Sequence, residues 1–136
     1  MSTAFLTPEL SIEGLDLPLV ETYFQRLNAQ DFQGVAQLFV SNGELHPPLE
    51  EPVIGSSAIA QYLQTEATGM KLFPQKGNEK LLEDGTTEVY IKGCVKTTLF
   101  NVNVAWQFLL NTEQDKLLAV AVKLLASWEE LAQIQR

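Results

Sequence analysis

Three consecutive runs of β-forming residues constrain the fold of this chain more than any other feature. They cover residues 86–100, 101–110 and 116–127, and the polar segment between the last two has the length and composition of a hairpin turn. A fourth run, residues 70–77, alternates in the same way, but Pro74 has no N–H to donate and therefore belongs at a sheet edge. The sequence predicts a curved, mainly antiparallel sheet.

The first half of the chain has the period of helices. Asp16 is predicted to cap a long first helix, in which apolar residues recur at helical spacing up to Leu27. Asp31 is predicted to cap a second, short helix, and a third helix follows Gly55. Between them, an Asn-Gly pair and two prolines predict a sharp turn over residues 41–48.

Together these elements predict an α+β domain. The N-terminal helices pack on one face of the sheet, which curves into a cone open at one end, and a short C-terminal helix begins at Ser127. Residues 1–14 are rich in turn formers and are predicted to be a loosely held leader. Residues 15–136 are predicted to form a single domain.

Composition excludes several classes of function. A net charge of −8 argues against a nucleic-acid partner and against electrostatic adhesion to an anionic membrane, so any membrane contact is expected to be apolar and brief. The sequence has neither a signal peptide nor a membrane-spanning run, which predicts a cytoplasmic protein. One cysteine, Cys94, and one histidine, His46, allow no internal disulfide and too few ligands for a zinc site.

The strand "NVNVAWQFLL", residues 101–110, contains a tryptophan and no ionisable group. If Trp106 points into the cone, Val104 and Phe108 do too, because side chains alternate along a strand. A buried indole N–H needs an acceptor, and so does the hydroxyl of Tyr23 on the apolar face of the first helix. Either each group bonds a backbone carbonyl and fills the core, or both converge on one acceptor of a bound ligand.

Catalysis is not expected from this pattern, because the two central strands carry no carboxylate to act as acid or base. Two alternatives to ligand binding stay open. The first is a small isomerase or hydrolase in which Tyr23 stabilises an oxyanion and His46 is the base. The second is a protein-interaction module without a small ligand, which docks a partner at the cone mouth or on the outer face of the sheet.

Several segments resemble the C-terminal domain of the cyanobacterial orange carotenoid protein, and more closely its free-standing homologues. The resemblance extends from about residue 11 to residue 131 and keeps the order of the motifs. The segments are "YFQRLNAQDFQGVAQLF" (23–39), "GELHPPLEEPVIG" (43–55), "KLFPQKG" (71–77), "VKTTLF" (95–100), "NVAWQFLLN" (103–111), "LLAS" (124–127) and "EEL" (129–131). The implied fold is the nuclear-transport-factor-2-like cone.

The resemblance implies a pocket for one end ring of a keto-carotenoid, similar to canthaxanthin or echinenone. Tyr23 and Trp106 match the two residues that donate hydrogen bonds to the ring carbonyl in that family. Leu99 stands where the longer protein has a tunnel tryptophan, so ring stacking is not expected there. The residues that match the apolar tunnel wall are Leu27, Leu72, Thr97, Leu99, Val104, Phe108 and Val122.

The resemblance also implies a task. No counterpart of the helical N-terminal domain is recognisable, so we expect a second copy to cover the cone mouth, giving a homodimer with one shared pigment. The expected function is a carotenoid carrier that takes pigment from membranes, near thylakoids, and passes it to helical carotenoid proteins. Quenching of singlet oxygen would follow from the bound polyene. Cys94 is expected on the face opposite the tunnel, either as a reduced, small apolar side chain of the strand or as a surface thiol that forms an intermolecular disulfide.

Overall fold

The computed structural model describes residues 11–125, and these residues form three helices and six strands. The helices are α1 (Pro18–Asn28), α2 (Phe32–Ala36) and α3 (Ser56–Glu66). The strands are β1 (Phe39–His46), β2 (Val53–Ile54), β3 (Lys71–Leu81), β4 (Thr87–Lys96), β5 (Asn101–Leu110) and β6 (Leu117–Leu125). The predicted helix at Ser127 and residues 1–10 of the predicted leader lie outside the described residues.

The six strands form one sheet in the order β2-β1-β6-β5-β4-β3. Strands β3 to β6 are the predicted antiparallel meander, with β3 at an edge. Residues 111–116 join β5 to β6 as a hairpin, in which the N–H of Asn111 donates to the carbonyl of Lys116. The helices and sheet form one buried apolar core, and the predicted α+β class is confirmed.

Strand β1 corrects the prediction of a turn at residues 41–48. Asn42 and Gly43 lie inside the strand, and neither has a positive φ. The pairing of β1 with β6 shifts between Phe39 and Glu44, so the Asn-Gly pair occupies an irregular part of the strand. The sequence pattern fails here because β1 is parallel to β6, a partner more than seventy residues away, as in the pair Leu45–Val120.

The first two helices differ in how the free N–H groups of their first turns are capped. Asp31 caps α2 as predicted, because its carboxylate accepts the N–H of Gly34 at 3.0 Å. Asp16 does not cap α1, and that prediction was wrong: the N-cap position is Leu17, which makes no side-chain cap bond. Leu17 is buried in the core, and Pro18, which has no N–H to satisfy, begins the helix.

Residues 11–14 of the predicted leader pack on the edge strand β3. Ile12 is buried, and Glu13 exchanges backbone hydrogen bonds with Gln75 (3.0 Å) and Gly77 (2.9 Å). Gly14 has a φ of +84°, and a Cβ there would come within 2.5 Å of the Gly77 carbonyl, so only glycine fits. This part of the leader is therefore fixed to the domain.

The side-chain amide of Asn28, the last residue of α1, pairs with the backbone of β3 in the way a neighbouring strand would. The amide of Asn28 donates to the Leu72 carbonyl at 2.9 Å and accepts the Leu72 N–H at 2.7 Å. The ammonium group of Lys71 donates to the Asn28 carbonyl at 3.0 Å. These three bonds hold the first helix against the edge of the sheet.

Replacing Asn28 with alanine should lower the free energy of unfolding by about 2 kcal/mol, because the N–H and carbonyl of Leu72 lose their partners. Urea unfolding followed by tryptophan fluorescence measures the change. Asn78→Ala, an exposed asparagine on the same strand, is the matched control and should change the free energy by less than about 0.5 kcal/mol. Equal effects of the two substitutions would contradict this role of Asn28.

Candidate functional site

Four aromatic rings join α1 to β5 in the centre of the domain. Helical spacing places Tyr23 and Phe24 on the sheet side of α1, and strand alternation turns Trp106 and Phe108 toward them. All contacts are edge to face: Phe24 lies 4.8 Å from Trp106 and 5.7 Å from Phe108, and Tyr23 lies 5.1 Å from Phe108, between ring centroids. Such packing fixes the orientation of the phenol and of the indole.

An apolar cavity of about 430 Å³ lies on one side of this cluster. It reaches along β5 from Val102 to Trp106, and Phe108 does not contact it, so Trp106 marks the closed end. Four of the lining residues carry polar side-chain atoms: Tyr23, Tyr62, Glu66 and Trp106. The others are Leu27, Leu45, Pro47, Pro48, Leu63, Ala67, Met70, Leu72, Val95, Phe100, Val102, Val104, Val122 and Leu124.

The hydroxyl of Tyr23 and the indole N–H of Trp106 have no hydrogen-bond acceptor within residues 11–125. The two side chains are only 2% and 1% exposed. No polar side-chain atom in this part of the chain is both enclosed and unpaired, so each donor keeps accessible surface, and the cavity provides it. Buried donors are normally paired, so two unpaired donors beside one cavity make this a candidate ligand site.

Burial also fixes the protonation state of the phenol. Desolvation raises the pKa of the Tyr23 hydroxyl well above its ordinary value, because no nearby charge offsets the cost of burying a phenolate. The hydroxyl is therefore a neutral donor across the physiological range. The closed end of the cavity offers two neutral hydrogen-bond donors and no charge.

The open end of the cavity combines polar side chains with exposed apolar ones. The hydroxyl of Tyr62 donates to Glu50 at 3.4 Å, and desolvation, helped by the charges of Glu50 and Glu66, raises the pKa of Tyr62 to about 12. Beside them, Phe100 is 50% exposed and Leu124 is 52% exposed. The mouth thus has an apolar rim with carboxylates on the α3 side.

Most of the residues proposed from sequence meet at this cavity. Leu27, Leu72, Val104 and Val122 line it together with Tyr23 and Trp106. The contributions of α3 and of the end of β1 to the cavity have no local signal in the sequence. Leu63 and Ala67 were recognisable only as a helix face, and Pro47 and Pro48 were interpreted as parts of a turn.

Three of the proposed wall residues do not line the cavity. The Thr97 hydroxyl accepts the N–H groups of Leu99 and Phe100, each at 3.1 Å, and so belongs to the tight turn after β4. Leu99 is 87% exposed at the tip of that turn. Phe108 lies behind the closed end, against Tyr23. Their contact with a ligand stays a prediction.

Other candidate groups lie away from the closed end. His46 ends β1 and its Nε2 contacts a carboxylate oxygen of Glu44 at 2.8 Å, outside the cavity. Cys94 is half-buried on the outer face of β4, and its predicted disulfide stays a prediction. Within residues 11–125 no cluster of metal-ligating side chains occurs. No helix in this range has the length and hydrophobicity required to cross a membrane.

The chain is similar in sequence to two curated proteins of the same name. It is 39% identical to the orange carotenoid-binding protein of Synechocystis over 132 residues, which is 94% of this chain and 41% of the relative. It is 38% identical to the protein of the same name from Limnospira maxima over 127 residues, 90% of this chain and 40% of the relative. The chain thus spans about 40% of the length of these curated relatives.

Solved structures agree with the sequence comparison. The orange carotenoid protein of Anabaena, solved binding canthaxanthin, matches with a TM-score of 0.83 and 37% identity over 92% of this chain and 41% of that one. A nuclear-transport-factor-2-like protein from Cytophaga hutchinsonii matches with a TM-score of 0.62 at 12% identity, over 87% of this chain and 97% of that one, which shows the fold alone. No protein-family model matches the chain. The predicted cone fold and the predicted resemblance are confirmed.

The buried phenol should make stability depend on pH in the alkaline range. Above pH 10 a tyrosine in the unfolded chain loses its proton while Tyr23 in the folded protein keeps it. Stability from this group is complete below its unfolded pKa and is lost as the pH rises through the raised folded value. Between pH 9 and pH 11 the loss should be about 1.4 kcal/mol.

Urea unfolding of the wild type and of Tyr23→Phe at these two pH values tests this expectation. The variant should lose less stability than the wild type by that amount. Tyr90→Phe, on the outer face, serves as the control and should behave as the wild type does. An identical pH dependence of the wild type and of Tyr23→Phe would contradict the burial of a neutral phenol.

Proposed function

Because the chain is a homologue of the C-terminal domain of the orange carotenoid protein, we propose that it binds a keto-carotenoid in the apolar cavity. The observation that carries the proposal is the pair of unpaired donors, Tyr23 and Trp106, at the closed end of that cavity. A ring ketone is a neutral acceptor with two lone pairs, so it can take both hydrogen bonds without bringing a charge into the core.

The two donors and the apolar wall have different tasks in this proposal. Two hydrogen bonds contribute roughly 1–3 kcal/mol and select and orient the carbonyl. Burial of the ring and the adjoining polyene against Leu27, Leu72, Val104 and Val122 supplies most of the affinity. The exposed Leu99 and the Thr97 turn would meet the polyene where it leaves the mouth, and Phe108 would support Tyr23 from behind.

The open mouth favours a second copy of the chain as the cover. A polyene that leaves the cavity between Phe100 and Leu124 exposes an apolar rod, which is unfavourable in water. Two copies placed mouth to mouth about a two-fold axis would enclose it, and each cavity would hold one end ring. The pigment would then be shared by a homodimer.

A shared tunnel that can divide suits a carrier. We propose that the protein takes keto-carotenoid, such as canthaxanthin or echinenone, from membranes such as thylakoids and passes it to helical carotenoid proteins. Such an acceptor would replace one copy of the chain over the exposed half of the pigment. Quenching of singlet oxygen would accompany transport as a property of the polyene.

Removing either donor should weaken pigment binding without removing the cavity. Tyr23→Phe and Trp106→Phe should each raise the dissociation constant for canthaxanthin about fivefold, equivalent to one hydrogen bond of about 1 kcal/mol. Each should also shift the pigment absorption to shorter wavelength, since less electron density is drawn to the carbonyl oxygen. Absorption titration measures both quantities.

The matched control is Tyr62→Phe, which removes a phenolic hydroxyl from the mouth of the same cavity. It should leave the absorption maximum unchanged. If Tyr23→Phe and Trp106→Phe bind canthaxanthin as the wild type does, with the same spectrum, the carbonyl does not contact these donors.

The carrier proposal predicts a defined assembly. Pigmented protein should sediment as two chains with one carotenoid, and Leu124→Glu at the rim should reduce both the dimer and the bound pigment, because a charge would face the polyene. Adding an apo helical carotenoid protein should change the absorption spectrum as pigment moves. A monomeric pigmented protein would contradict the shared tunnel, and an unchanged spectrum after mixing would contradict transfer alone.

A further inference from the structure

Five lysines gather on the outer face of the sheet, in the half that lies next to the cavity mouth. Lys76 of β3, Lys92 of β4 and Lys123 of β6 stand in one row across the sheet, with Ala105 of β5 between the last two. Lys71 and Lys96 are paired in a second row, where β3 begins and β4 ends. The Lys71 ammonium group is turned to the Asn28 carbonyl at the sheet edge (3.0 Å), so Lys96 is the cation that this row presents to the outer face. All five side chains are exposed.

This face has little negative charge to balance it. Residues 71–78, 89–110 and 117–125 contain no aspartate or glutamate. Glu13, whose backbone forms an isolated β-bridge with Lys76 at the sheet edge, adds one carboxylate. Within residues 11–125, however, none of the five lysines forms an ion pair. Like charges in directly opposed positions destabilise a sheet. In a chain with a net charge of −8, such a concentration of cations points to an anionic partner.

Apolar side chains stand among these cations and continue to the mouth. Phe73 lies between the two lysine rows, is 44% exposed, and has the ammonium group of Lys96 5.1 Å from its ring centroid. The turn after Lys96 carries the exposed Leu99 and the half-exposed Phe100, which also lines the cavity. Cations beside protruding apolar side chains match a lipid interface, which offers anionic headgroups above acyl chains.

We propose that this lysine face, together with Leu99 and Phe100, docks the protein on an anionic lipid surface with the cavity mouth against the bilayer. The inference rests on the proposed function and deepens it, because it names the membrane from which pigment is taken as anionic and gives the route of entry. An apolar ligand would pass from the acyl region along Phe100 into the cavity without crossing water. The lipid surface and the second copy compete for the same rim.

Co-sedimentation with phosphatidylcholine vesicles, with and without phosphatidylglycerol, tests the proposal on the full chain loaded with canthaxanthin and on the apo form. The apo wild type, whose rim is open, should bind only the anionic vesicles, and added salt should weaken the binding. The loaded dimer, in which the two rims cover each other, should bind the same vesicles less. Lys92→Gln combined with Lys96→Gln should reduce the partition coefficient about 25-fold, at about fivefold for each lysine. Leu99→Ser should weaken binding to the same vesicles with little effect on its salt dependence.

Lys80→Gln combined with Lys116→Gln is the matched control, since it changes the net charge equally at the opposite end of the strands. It should bind vesicles within about twofold of the wild type, as expected for charges outside the docking face. A change of equal size in the two double variants would overturn the proposal, because it would reflect net charge alone. Binding to a polynucleotide with the same lysine dependence, and no binding to vesicles, would also overturn it.

The pigment spectrum of each sample separates this inference from the function on which it rests. Lys92 and Lys96 do not line the cavity, so their variants should keep the wild-type absorption spectrum and thermal midpoint. An apo wild type that takes up canthaxanthin but does not bind anionic vesicles overturns the docking face and leaves carotenoid binding intact. A colourless protein that still binds these vesicles through the lysines keeps the docking face and rejects the carotenoid.

Discussion

The central constraint on this molecule is that two hydrogen-bond donors are buried at the end of an apolar cavity and find no acceptor in the described chain. An indole N–H and a phenol O–H could each have been tied to a backbone carbonyl, or replaced by phenylalanine, at little cost to packing. Here Tyr23 and Trp106 instead pack against the neighbouring rings of Phe24 and Phe108 and line the cavity, and their polar atoms are unpaired without being fully enclosed. In the proposed function, their free bonding capacity makes the cavity selective for a neutral acceptor.

The rest of the domain keeps this end of the cavity rigid and leaves the other end open. Asn28 ties the end of α1 to β3, so that Leu27 and Leu72 form one wall with fixed spacing. At the mouth the polar and apolar groups are partly exposed, and the turn after β4 protrudes with Leu99 at its tip. A closed end fixed by packing and an open rim of exposed side chains suit the proposed carrier, whose ligand enters and leaves by the same end.

The sequence predicted the elements whose signals are local. The alternation in β5 identified the inward side chains of Trp106 and Val104, and the Asp31 cap marked the start of α2. Strand β1 was missed because its parallel partner is far away in the chain and its Asn-Gly pair imitates a turn. Thr97 was assigned to the tunnel wall by the resemblance, and the structure places it in a turn that its hydroxyl stabilises, so its contact with a ligand stays a prediction. The lysine rows depend on the register of three strand pairs, which net charge does not reveal.

The most direct test of the central claim is the pigment composition of the protein purified from a host that makes both keto-carotenoids and carotenoids without a ring carbonyl. Extraction and chromatography of the bound pigment give the ratio. If the two donors select a ketone, the purified protein will be coloured and enriched in keto-carotenoid relative to the host membranes. A colourless protein, or bound pigment in the same proportions as the membranes, would contradict the account.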